Sequence, residues 1–143
     1  MPPTVVVDTN VLVGALLGPT GPHRTVVRHC FRRELHPIIA TALLNEYRDV
    51  WSRPEVWVRC RIDAARRQAF LEAFASTCRW VDVHFRWRPN LRDEGDNHLI
   101  DLAVAGGATY IVTSNLRDFV GAELRFPAIR IIGSEQLLQE ISS

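Results

Sequence analysis

Val5-Val6-Val7-Asp8-Thr9-Asn10-Val11-Leu12-Val13 is an apolar run that breaks at a carboxylate and resumes after two residues able to begin a helix. Three consecutive valines predict a strand buried on both faces, as in a parallel sheet, and not one that alternates between core and solvent. Asp8 then falls at the carboxyl end of that strand, where open α/β sheets gather their ligands.

Outward from this strand, apolar periodicity and turn residues give the order of the remaining elements. A helix is expected over residues 10–17, then a Gly18-Pro19-Thr20-Gly21-Pro22 turn and an amphipathic helix over 23–33. Residues 37–40 read as a short strand, and Thr41 as the N-cap of a helix carrying Leu43, Leu44, Tyr47 and Trp51 that Pro54 ends. Asp63 caps a further helix running to about Cys78, and residues 80–83 read as a strand. Asp96 opens a helix closed by Gly106-Gly107, strands follow at 110–113 and 130–132, and Ser134 begins a terminal helix. Helices alternating with short apolar strands imply right-handed crossovers. The expected fold is a three-layer α/β/α sandwich around a mostly parallel sheet of four or five strands, with residues 1–143 as a single domain.

The chain of 143 residues has the length of one ordinary domain. No apolar run is long enough to span a membrane, and no basic stretch followed by an apolar one marks a leader. Cys30, Cys60 and Cys78 are odd in number and widely spaced, which argues against a disulfide framework or a zinc knuckle and fits core thiols in a reducing cytoplasm. All 17 basic residues are arginine, and they are unevenly spread. Residues 1–92 hold 14 arginines against 8 acids, a balance of +6, whereas residues 93–143 hold 3 against 8, a balance of −5. Arginines such as Arg24, Arg28 and Arg48 offer planar forks for phosphate, or they are solvated helix surface in a chain whose composition lacks lysine. The sequence leaves both readings open.

In a parallel sheet the strands share a direction, so the segments that follow them share one rim. Asp8, Glu46, Asp96 and Asp118 all fall in such segments and are expected to meet there. Crowded carboxylates repel unless some are protonated or a cation lies between them. Mg²⁺ or Mn²⁺ takes oxygen ligands, keeps part of its shell open and can activate water against a phosphodiester. Taken singly, each acid has an ordinary alternative: Asp8 and Asp96 as helix caps, Glu46 and Asp118 as surface charge.

Four segments carry a resemblance. They are residues 5–13, Leu43-Leu44-Asn45-Glu46-Tyr47, the run from Asp93 through Asp96-Asn97-His98 to Ala103, and Tyr110 through Ser114-Asn115 to Asp118-Phe119. In order and with these gaps they resemble the PIN domain family, nearest the branch of VapC-like toxins from bacterial toxin–antitoxin pairs, over about residues 4–133. The resemblance implies a Mg²⁺- or Mn²⁺-dependent ribonuclease of α/β/α form. In it Asp8 and Asp96 bind the metal, and Glu46 binds through water or orients the nucleophile. Asn115 or Asp118 completes the ring, with Thr9, Asn10 and Ser114 as polar helpers. Arg24, Arg28 and Arg48 would hold the RNA backbone, a small antitoxin would cover the rim, and the protein would form a homodimer.

Other residues near these acids are secondary, with Asp93 kept as a supporting residue of the site. Asp93 reads as a cap, and Asp101 lies about 140° round the helix from Asp96 and so outside the site. His98 reads as a helix-surface imidazole. Trp51, Trp57 and Trp80 are either core or an interface. A receiver domain would need a lysine, and a haloacid-dehalogenase-type phosphatase an acid where Asn10 stands. Because Asn115 brings no charge to the fourth position, the competing expectation is a degenerate PIN fold that binds RNA or protein without cutting it.

Overall fold

The computed structural model describes residues 2–18, 21–84, 97–119 and 126–142. Five strands form one all-parallel sheet: β1 (Thr4–Val7), β2 (His36–Ile39), β3 (Arg79–Trp80), β4 (Tyr110–Val112) and β5 (Arg130–Ile132), in the order β3-β2-β1-β4-β5. The valine strand is central. Val5, Val6 and Val7 have no solvent exposure, so both faces of β1 are covered, as its unbroken apolar sequence requires. Its register pairs Val5 with Pro37 on one side and Val5, Val6 and Val7 with Tyr110, Ile111 and Val112 on the other.

The helices are α1 (Thr9–Leu17), α2 (Pro22–Phe31), α3 (Thr41–Trp51), α4 (Ala64–Thr77), α5 (Asn97–Gly106) and α6 (Ser134–Ile141), with 3₁₀ turns at Pro54–Trp57 and Leu116–Phe119. From β1 the chain steps outward through β2 to β3, then returns across the sheet through α5 to place β4 and β5 on the other side of β1. Right-handed crossovers put helices of those two journeys on opposite faces, giving the three layers. The direction in which strands are added reverses between β1 and β4, so the crevice beyond their carboxyl ends is the sheet's switch point.

Local chemistry sets the helix boundaries. Asp63 caps α4 by accepting the Arg66 backbone N–H at 2.9 Å, as its sequence position predicted. Gly107, with φ of 68°, ends α5 in the left-handed conformation that glycine adopts without strain. Thr41 does not cap α3: Ala40 holds the cap position, and Thr41 is already helical because the Ala40 carbonyl accepts the first helical N–H, from Leu44. The expected openings of α5 at Asp96 and of its cap at Asp93 lie outside the described residues.

Burial on α3 recurs at Leu43, Tyr47 and Trp51, one turn apart. Trp51 and Trp57 meet edge to face with centroids 4.8 Å apart, and the Arg67 guanidinium covers Trp57 at 5.0 Å. Those two tryptophans are core, whereas Trp80, on the sheet's edge strand, is exposed. Burial pushes the Cys30 thiol up to about 12 and that of Cys78 higher still, leaving both as inert packing groups. No helix among the described residues is long and apolar enough to cross a membrane.

Candidate active site

Asp8 stands where β1 becomes α1. Its backbone is still extended (φ −66°, ψ 151°), and its N–H donates to the Val112 carbonyl at 2.9 Å, continuing the β1–β4 ladder. The side chain caps α1: Oδ1 accepts from the Thr9 N–H at 2.8 Å. Oδ2 accepts from the Thr113 hydroxyl at 2.7 Å and from the Asn10 amide at 3.2 Å. With these donors the carboxylate is only 4% exposed. Burial holds its pKa above the ordinary value, and the nearby Glu46 charge pushes the same way; the Thr113 hydroxyl, the Thr9 N–H and His98 offset only part of this.

Glu46 arrives from α3. Buried Tyr47, its neighbour, donates its hydroxyl to the Val7 carbonyl, which fixes the first turns of α3 against the end of β1. Glu46 Oε2 accepts from the Thr9 hydroxyl at 2.9 Å and faces His98 Nε2 at 3.5 Å. Burial pushes this carboxyl up, but the His98 and Thr9 contacts outweigh it and hold Glu46 below the ordinary value. Thr9 therefore touches both acids, by its backbone N–H and by its hydroxyl. Repulsion falls on the more deeply buried Asp8.

A polar strip from β4 closes one side. The Asn10 amide reaches the Thr113 hydroxyl at 3.4 Å, Asn10 Oδ1 accepts the Ser114 N–H at 3.0 Å, and the Thr113 hydroxyl accepts the Asn115 N–H at 3.0 Å. The resulting pocket, of about 380 Å³, is lined at its polar end by Asp8, Thr9, Asn10, Glu46 and Asn115. Its apolar wall comes from Val13, Leu17, Val50 and Val56.

The structure thus brings together Asp8, Glu46, Asn115, Thr9 and Asn10, with Ser114 beside them. Asp118 sits in the 3₁₀ turn Leu116–Phe119, its N–H bonded to the Asn115 carbonyl at 3.1 Å, and it does not line the pocket. Asp96 and Asp93 lie outside the described residues. Arg24 donates to the Gly18 carbonyl at 3.4 Å, Arg28 and Arg48 are exposed, and none of the three lines the pocket. His98 corrects its reading as solvated helix surface: its side chain is 20% exposed and turned toward Glu46. A helical period shows which residues share a face but not that this face meets α3. Asp101 is buried and lines, with His98, a separate cavity of about 380 Å³ between α3, α5 and residues 81–84.

Thr113 was missed as a site residue. The sequence signal was a polar β-branched residue ending an apolar strand, a position equivalent to Asp8 on the neighbouring strand; its role appears only once β1 and β4 are paired.

An all-oxygen set of two carboxylates and an amide, in which one acid raises the other's pKa, has the chemistry of a hard divalent-cation site. Among the described residues no group of three or more His, Cys, Asp or Glu side chains is placed to hold a metal ion.

The chain belongs to the PIN domain family, whose sequence profile matches residues 4–117, from β1 through the polar strip after β4. Among solved structures it is similar to VapBC2 from Rickettsia felis bound to a DNA fragment from their promoter, with a TM-score of 0.58 and 15% identity over 91% of this chain and 98% of that one. At that identity the likeness is one of fold. No curated protein matches the sequence.

Proposed function

We propose that this PIN-domain protein is a Mg²⁺- or Mn²⁺-dependent ribonuclease and the toxin of a toxin–antitoxin pair, acting in the cytoplasm. The observation that carries the reading is the meeting of Asp8 and Glu46 on Thr9 at the switch point of the sheet. Asp8, Glu46 and Asp96 would hold the metal with Asn115, or Asp118, completing the set. A cation bound there would supply Lewis acidity toward an RNA phosphodiester and lower the pKa of water. The chain's own groups prepare the site. Thr113, Asn10 and the Thr9 N–H aim the Asp8 carboxylate into the pocket, and Thr9 and His98 favour the ionised form of Glu46. Exposed Arg28 and Arg48 would carry the RNA backbone, with Arg24 beside them. The fold similarity to VapBC2 supports an antitoxin partner, and self-association as a homodimer is part of the same reading.

One observation favours a second reading: Asn115 lines the pocket without bringing charge, as in a PIN fold that binds RNA but no longer cuts it. Incubating RNA with the purified chain in Mn²⁺ and in chelator separates the two. Cleavage in Mn²⁺ that disappears in chelator and in Asp8→Asn is expected. Retained RNA binding with no cleavage in either medium would establish the binding module, and undiminished cleavage by Asp8→Asn would remove that acid from the mechanism.

A further inference from the structure

On the far side of the Asn10–Thr113–Ser114 strip lies a second, wider depression of about 590 Å³, lined by His23, Thr113, Ser114, Leu116, Ser134 and Gln136 among others. It neighbours the acid pocket: Thr113, one of its lining residues, is buried and donates its hydroxyl to Asp8. His23 is built into it. The ring lies against Gly14 of α1, where even a methyl group would stand 2.4 Å from His23 Cδ2. Its Nδ1 is 2.8 Å from the hydroxyl of Ser134, which is 3% exposed, and its Nε2 faces the Ser114 hydroxyl at 3.5 Å.

The chemistry of this lining selects a class of ligand. Burial lowers the pKa of His23, and with Nδ1 taken by the buried Ser134 hydroxyl, Nε2, beside Ser114, is the ring nitrogen left to face a ligand. Ser114 and Gln136 are exposed and add a hydroxyl and an amide, and Glu135 adds a carboxylate. The Glu135 carboxylate in the lining disfavours a phosphate there. Leu116, 46% exposed, and exposed Pro22 supply apolar surface on which a flat ring could lie. Hydrogen-bonding edges beside an apolar platform suit an unstacked base and its ribose hydroxyls.

We propose that this depression is a nucleoside subsite that takes the base and ribose of the RNA residue adjoining the phosphodiester held at Asp8, with Leu116 under the base and His23, Ser114 and Gln136 at its polar edges. The inference rests on the ribonuclease reading and deepens it, by assigning base preference to a surface away from the acids.

Methyl and imidazole NMR spectra of the full chain, titrated in chelator with single-stranded hexaribonucleotides, test it without turnover. Leu116 methyl and His23 ring signals are expected to shift and saturate together. Leu116→Ala and Gln136→Ala, both at exposed positions, are expected to melt like the wild type and to weaken binding about 3- to 10-fold. RNA that binds with shifts confined to Val13, Leu17, Val50 and Val56, and equally well to both variants, would overturn the subsite while the nuclease reading stood. A wild-type chain showing no shift with any hexamer would overturn the subsite, whereas the nuclease reading falls separately, on absent cleavage in Mn²⁺.

Discussion

Asp8 and Asp63 each have extended backbone, with φ, ψ of −66°, 151° and −71°, 166°, and each accepts a backbone N–H at the start of a helix. Their surroundings diverge. Asp63 is exposed, bonds the Arg66 N–H at 2.9 Å and has the Arg66 side chain 3.9 Å away. Asp8 is 4% exposed, uses its second oxygen for Thr113 and Asn10, and is pushed up by burial and by Glu46. Capping explains Asp63 completely. It explains only one oxygen of Asp8, and a carboxylate kept in so costly a place is retained for something other than helix stability. The difference lies in topology: α4 begins at the surface, and α1 begins at the switch point between β1 and β4.

The largest expected effect breaks the pair catalytically. Asp8→Asn is expected to lower RNA cleavage at least about a hundredfold, the scale for removing a group that stabilises developing charge. Asp63→Asn, measured in the same assay, is expected to leave cleavage unchanged. Equal losses in the two variants would show that Asp8 acts only as a cap.

Thr113→Val sharpens the comparison from the other side, since it removes a donor that Asp8 has and Asp63 lacks. Loss of a hydrogen bond to a charged group is expected to cost about 1.5–3 kcal/mol in chemical denaturation. A cost near zero would mean that the Thr113 hydroxyl does not hold the carboxylate. Asp63→Ala, which deletes an exposed cap alone, is expected to cost about 1 kcal/mol in the same measurement.

The smallest effect is a pH dependence. In chelator, folded Asp8 holds its proton more tightly than the unfolded chain, because its pKa is raised. Its contribution to stability is fully present below the unfolded value of 3.8 and is lost as pH rises through the higher folded value. The melting midpoint of the wild type, taken relative to Asp8→Asn, should therefore fall as pH rises across that window and level off above it. Parallel curves would contradict the raised value.

The sequence carried the sheet well because each strand is a compact apolar run bounded by turn residues, and Val5 to Val7 could hardly be anything else. It carried β3 less well: the expected strand at 80–83 is ordered as Arg79–Trp80, since an edge strand is held from one side only. Asp8, Glu46 and Asn115 were legible because a parallel sheet sends all its strand ends to one rim. Thr113 and His98 were not, for opposite reasons. The Thr113 hydroxyl has its partner 105 positions away, which only strand register reveals, and His98 lies on a helix whose facing neighbour no period can name.

The account depends on Asp8 and Glu46 acting on one divalent ion, and calorimetric titration of Mn²⁺ into the purified chain tests this most directly. Saturable binding by the wild type and by Asp63→Asn, lost or strongly weakened in both Asp8→Asn and Glu46→Gln, is the predicted result. Mn²⁺ affinity that is the same in all four proteins would contradict it.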